Sequence, residues 1–125
     1  LEVFHSCVLV TDARGRVRVH ARPSSGPGLW SGMFQPPPIE REDRHATATE
    51  IRREFGLGAL SREAAFEQVT THRRVQFEVW RAGAAPKDAR LPGRFLGPEE
   101  LAELPLANPH RRILLEMAAS APTGV

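Results

Sequence analysis

The residues best equipped for chemistry lie together in Thr70-Thr71-His72-Arg73-Arg74, where two hydroxyls, an imidazole and two guanidiniums fill consecutive positions. A hydroxyl donates and accepts, an imidazole does either according to its tautomer, and a guanidinium fork matches phosphates and base edges. Such a set suits recognition. A second set, Glu50 and Glu54, is spaced by one helical turn. That spacing fits either a divalent cation or a solvated face on which the carboxylates exchange partners with Arg53 and Arg44. Cys7 sits mid-strand among apolar residues, where a cysteine serves as a small core side chain rather than a nucleophile. His5 and His20 are placed to meet across a hairpin, but without a carboxylate cluster they read as strand-face histidines rather than metal ligands. No nucleophile-elbow pattern occurs, and no residue is assigned a catalytic or metal-binding role.

The elements that must position these groups follow from periodicity. Val75, Phe77 and Val79 alternate with Arg74, Gln76, Glu78 and Trp80, the pattern of a half-buried strand whose polar lead-in lies at a sheet rim. Val3–Thr11 and Arg16–Arg22 flank the turn Asp12-Ala13-Arg14-Gly15 and predict a hairpin, with Val17, Val19 and Ala21 facing the core. Pro23–Gly28 reads as a loop. Leu29–Pro36 reads as a short strand bulged at Gly32, with Trp30 in the core rather than stacked on a base, and Pro36–Pro38 ends it. Asp43–Phe55 predicts a helix stopped by Gly56, with Ala48, Ile51 and Phe55 on one face. Glu63–Thr70 predicts a strand and 82–93 a loop. Arg94–Leu96 predicts a short strand, Pro98–Leu101 a helical turn, and Asn108-Pro109 the start of a last helix buried through Ile113, Leu114 and Met117. The order is that of an α+β sandwich with a mixed sheet.

With 125 residues, the chain suits one core: a single domain over 1–119 and a frayed tail or linker over 120–125. Net charge is only +2, yet Lys87 is the only lysine. That bias toward arginine is compatible with nucleic-acid binding and is equally a mark of GC-rich coding. One cysteine rules out an intrachain disulfide, a cysteine zinc site and an iron–sulfur cluster within the chain, and points to reducing cytoplasm. No apolar run approaches the roughly 20 residues of a membrane helix, so no membrane partner is expected. Beginning at Leu1 without methionine, the sequence reads as a piece of something longer.

The helix resembles the end of a Nudix box, Arg-Glu-apolar-any-Glu-Glu-any-Gly-apolar, laid over Thr49-Glu50-Ile51-Arg52-Arg53-Glu54-Phe55-Gly56-Leu57. Ile51, Gly56, Leu57, Glu50 and Glu54 match. Thr49 stands for the arginine, Arg53 for a metal-ligand glutamate, Arg41 for the earlier glutamate and Gln35 for the first glycine. An arginine among the ligands repels magnesium, so the resemblance implies a Nudix-like mixed sheet between helices, with a degenerate box. Three further segments resemble the C-terminal domain of MutY-type adenine DNA glycosylases. Arg22-Pro23 with Gly28-Leu29-Trp30-Ser31-Gly32-Met33-Phe34-Gln35-Pro36-Pro37 is similar to the family's Arg-Pro and Gly-Leu-Leu-Ala-Gly-Leu-Trp-Glu-Phe-Pro. Thr70-Thr71-His72 is similar to its Phe-Ser-His or Phe-Thr-His loop, with Thr70 in place of phenylalanine. Arg94–Leu101, Leu104-Pro105 and Pro109–Leu114 are similar to its tail.

That resemblance implies a non-catalytic domain that reads 8-oxoguanine opposite adenine in base excision repair. DNA would be contacted by Thr70, Thr71, His72 and Arg73. The partners implied are double-stranded DNA carrying 8-oxoguanine:adenine and an N-terminal glycosylase domain of the same protein, which alone would carry an iron–sulfur cluster; no cofactor is expected in this chain. The implied setting is the bacterial cytoplasm, at the nucleoid. A hydroxyl can accept from N7–H and donate to O8, the two groups that distinguish 8-oxoguanine from guanine. The alternative is a divergent Nudix hydrolase using Glu50 and Glu54, with Glu40 or Glu42, on a nucleoside diphosphate derivative. A third reading has the sheet rim or the Pro36–Pro38 loop docking another repair or replication protein.

Overall fold

Alternating and continuous apolar runs decide which strands lie inside, and the computed structural model, which describes residues 1–23 and 28–119, resolves them into two sheets. In chain order the elements are β1 (Glu2–Leu9), β2 (Val17–Ala21), β3 (Phe34–Gln35), β4 (Pro38–Arg41), α1 (Ala48–Phe55), β5 (Leu60–Val69), β6 (Arg74–Ala82), β7 (Arg94–Leu96), α2 (Pro98–Ala102) and α3 (Asn108–Arg111). A π-helical stretch, Arg112–Met117, continues α3. Residues 24–27 of the expected loop and the expected tail at 120–125 lie outside the described residues.

The larger sheet runs β4-β1-β6-β5, with β1 parallel to β6 and the outer pairs antiparallel. It is therefore mixed. Because β1 is central, both its faces are covered: Cys7 and Leu9 enter one core cluster, while Val8 and Val10 enter another with Ile51 and Phe55 of α1. The first cluster joins Val75, Phe77 and Val79 of β6 to Val17 and Val19 of β2, Leu96 of β7, and Ile113 and Leu114. Cys7 is fully buried, which pushes its thiol pKa up and leaves it an inert core group.

The expected hairpin is corrected. Thr11 and Val17 form a bridge and Arg18 N–H reaches Val10 O at 3.0 Å, but β2 then leaves for the smaller sheet, β3-β2-β7. Stacking the two strands in separate layers lets Val17 and Val19 pack over Cys7 and Leu9, which side-by-side pairing does not permit. Ala21, expected in the core, is exposed at the end of β2. His5 and His20 consequently lie in different sheets.

Leu29–Pro36 is mostly turn rather than strand, with Trp30 at φ 54° and Gly32 at φ 74°, and only Phe34–Gln35 pairs. Trp30 is half-buried against the first core cluster. The proline run does not end pairing: Pro38 opens β4, an edge strand, where a missing N–H is tolerated. Pro36 and Pro37 are buried and Pro38 is half-buried. The helix begins at Ala48, five residues later than expected, because Thr47 and Glu50 form a capping box. Gly56 closes it at φ 65° as expected.

Gly93 leads into β7 at φ 80°, and a Cβ there would stand 1.9 Å from the Val19 carbonyl oxygen. Gly93→Ala should therefore cost at least ~2 kcal/mol through left-handed strain and forced separation of β2 from β7. A lower urea midpoint checks this. No helix among the described residues is long and apolar enough to cross a membrane.

Candidate nucleic-acid interface

β5 and β6 pair antiparallel down to Val69↔Arg74, which leaves Thr70–Arg73 as a four-residue connection at one end of the larger sheet. Thr70 closes it. Its N–H donates to Arg73 O at 2.8 Å, and its Oγ1 accepts from Arg73 N–H at 3.1 Å while lying 3.3 Å from Arg73 O. The Thr70 hydroxyl is thus a clamp across the loop, and its expected place among the DNA contacts is not supported by this geometry. Thr71 and His72 are carried at the exposed tip, and among the described residues their side chains have no partner. The sheet beneath the tip is rigid: Val75 and Phe77, the first inward residues of β6, are at most 1% exposed. Arg74 pairs loosely with Glu67 at 3.7 Å, and its N–H donates to Leu1 O.

Arg73 turns toward a cavity of about 290 Å3 beside the loop, together with Arg22, Arg41, Glu42, Val3 and Leu29. Under it lies a polar network that sequence reasoning missed. The Arg22 guanidinium donates to Leu29 O, to Gln35 Oε1 at 2.9 Å and to Glu40, while Gln35 Nε2 lies 3.2 Å from His20 Nε2. His5 Nε2 stands 3.3 Å from Glu40. Burial pushes His5 down to about 4 despite that carboxylate, and it pushes His110, which packs edge-on against Trp30 and Phe77, down to about 3. For Glu40, burial acts upward, but the hydrogen bond from Arg22 and the charge of His5 outweigh it and hold the carboxyl below its ordinary range. Arg22, Gln35, Glu40, His5 and His20 each stand out in the sequence for a separate reason, but nothing local joins them into one network.

The two helix carboxylates do not form an open pair. Glu50 receives Arg41 at 2.8 Å, Arg44 at 2.8 Å and the Thr47 N–H at 3.0 Å. Those hydrogen bonds, from Arg44 and then Arg41, hold it far below the usual carboxylate range. Arg41, in place of a Nudix-box glutamate, thus puts a guanidinium on Glu50 itself. Among the described residues no three His, Cys, Asp or Glu side chains gather as metal ligands would.

Fold and site together define an α+β sandwich with a polar loop at the rim of a mixed sheet and a helix carboxylate engaged by arginines. The family description "NUDIX domain" matches residues 6–116, and the chain belongs to that family. Among solved structures, the C-terminal domain of mouse MUTYH, in its complex with human PCNA, is 21% identical with TM-score 0.68, over 90% of this chain and 85% of that one. A MutT protein from Methanosarcina mazei is 14% identical with TM-score 0.65, over 94% and 92%. A MutT NUDIX hydrolase from Burkholderia pseudomallei is 16% identical with TM-score 0.59, over 91% and 96%. At these identities the likeness is one of fold. A comparison with curated proteins finds no match.

Proposed function

We propose that this chain is a non-catalytic DNA-lesion-recognition domain, part of an adenine glycosylase, that reads 8-oxoguanine opposite adenine. The observation that carries the reading is the β5–β6 loop: Thr71 and His72 stand exposed and unpartnered at its tip, while Thr70 ties the loop ends together. A reader must be held still while its polar groups stay free, and this arrangement does both. Thr71 Oγ1 is assigned to N7–H and O8 of the oxidised base, and His72 to a neighbouring base edge or phosphate. Arg73 supplies charge for the backbone, a contribution independent of sequence that weakens with salt. Adenine removal and any iron–sulfur cluster belong to a separate N-terminal domain of the same protein.

Two features support this reading over hydrolysis. Glu50 already carries two guanidiniums, and Arg53 stands where a ligand glutamate is needed. Thr71→Ala should lower the preference for 8-oxoguanine:adenine over guanine:adenine duplex by about tenfold, the worth of ~1.4 kcal/mol. Its stability should change by less than ~0.5 kcal/mol, because the side chain touches no core. Anisotropy titrations with both duplexes check this; an unchanged preference would remove Thr71 from the reading.

A further inference from the structure

The cavity beside the recognition loop holds cationic groups that the fold itself does not use. Of its arginines, Arg22 is consumed by Leu29, Gln35 and Glu40. Arg73 is different: its guanidinium makes no hydrogen bond or ion pair among the described residues, and only its backbone is engaged. Arg41 is used on one side, through Nη2 to Glu50 at 2.8 Å, while its Nη1 is shielded from solvent and has no hydrogen-bond partner. A shielded donor without an acceptor is destabilising, so the fold retains it at a cost that an acceptor in the cavity would offset. The Arg41 side chain lines the cavity and keeps 28% exposure. Val3 and Leu29 add apolar wall, and the acidic lining is Glu42 together with Glu40, which Arg22 engages.

We infer that this cavity is a seat for one phosphate group, gripped by Arg73 and Arg41. It rests on the lesion-reading assignment in one respect: the phosphate would then come from the DNA strand whose base faces Thr71. Two guanidiniums approaching from β4 and from the loop clamp a phosphate from two directions, which fixes register as well as affinity. The seat needs no metal, because arginine supplies the positive charge. It also gives Arg41 a use beyond its pairing with Glu50.

The test uses the whole 125-residue chain and duplexes with and without 8-oxoguanine, titrated over a range of salt. Arg73→Gln and Arg41→Gln should each weaken both duplexes equally, by about threefold to tenfold at low salt. Each should also flatten the slope of log K against log salt by about one. Replacing phosphates one at a time by methylphosphonate should reveal one position at which the parent loses affinity and Arg73→Gln does not. Arg41→Lys, which keeps the charge for Glu50 but lacks the fork, separates grip from folding: it should retain the melting temperature and lose part of the affinity. Competition distinguishes the source of the phosphate. A backbone seat predicts that dGMP displaces duplex no better than its ionic strength does; a free-nucleotide seat predicts saturable displacement that Arg73→Gln abolishes. Unchanged affinity and slope in both glutamine variants would overturn the seat. Arginine-dependent slopes without any 8-oxoguanine preference would keep the seat and sink the lesion reading, and the reverse pattern would do the opposite.

Discussion

Lowering the pH from 7 to 5 should reduce the unfolding free energy of this domain by on the order of 4 kcal/mol, before any carboxylate is protonated in quantity. The main origin is two buried neutral imidazoles, and His20 and His45, also lowered by burial, act in the same direction. His5 is 3% exposed and His110 is 0% exposed, and burial depresses their pKa values to about 4 and about 3. The unfolded chain binds a proton at each near pH 6.5, whereas the folded chain does not until well below 5. Unfolding therefore takes up protons, and stability, complete above about pH 6.5, falls as the pH drops toward the folded values. Each histidine contributes about 1.36 kcal/mol per pH unit in that window. The surroundings do not cancel this. Glu40 pulls the two upward, but Arg22 opposes it and burial exceeds both. Shifts at Glu40, Asp12 and Glu50 run downward as well and act only below the ordinary carboxylate range. Urea titrations at pH 7, 6 and 5 measure the effect, and His110→Phe should flatten it by about half. A flat profile between pH 7 and 5 would mean that the two imidazoles are not buried in the neutral form.

The second large effect is expected at Phe77, which these histidines share. Its ring stacks on Phe66 at 5.0 Å and meets His5, His110 and Trp30 at 5.3, 5.7 and 5.9 Å. Truncation leaves a void that these rings, carried on β1, β5, α3 and the turn at Trp30, cannot close without moving those segments. Phe77→Ala should cost about 3–5 kcal/mol, a large share of the roughly 5–15 kcal/mol of a typical domain. Phe77→Leu keeps most of the volume and should cost less than about 1.5 kcal/mol. Urea midpoints with an unchanged m-value would locate the loss in the native core. A loss below 1 kcal/mol for the alanine variant would contradict that placement.

The strand through Phe77 was legible because period-two alternation is local: Val75, Phe77 and Val79 face the core as the pattern required. What eluded the sequence was mostly long-range. The parallel pairing of β1 with β6 depends on residues more than seventy positions apart, and nothing near Val10 announces that β2 will change sheets. Two misses were local and avoidable. Thr47 with Glu50 spells a capping box, yet Asp43 was read as the helix start. The proline run reads locally as a strand terminator, whereas an edge strand accepts Pro38 at its first position. At the site, Thr71 and His72 lie on the rim where the alternation placed them. Thr70 departs from the resembling loop, which carries phenylalanine at that position. Its clamp on Arg73 depends on backbone geometry that residue type does not reveal.

Lesion recognition by this domain is tested most directly by the affinities of the unsubstituted chain for an 8-oxoguanine:adenine duplex and a guanine:adenine duplex of otherwise identical sequence, at one salt concentration. The ratio is the informative quantity, because phosphate contacts contribute equally to both. Reading of N7–H and O8 predicts a preference on the order of tenfold for the oxidised duplex. Equal affinity for the two would contradict it.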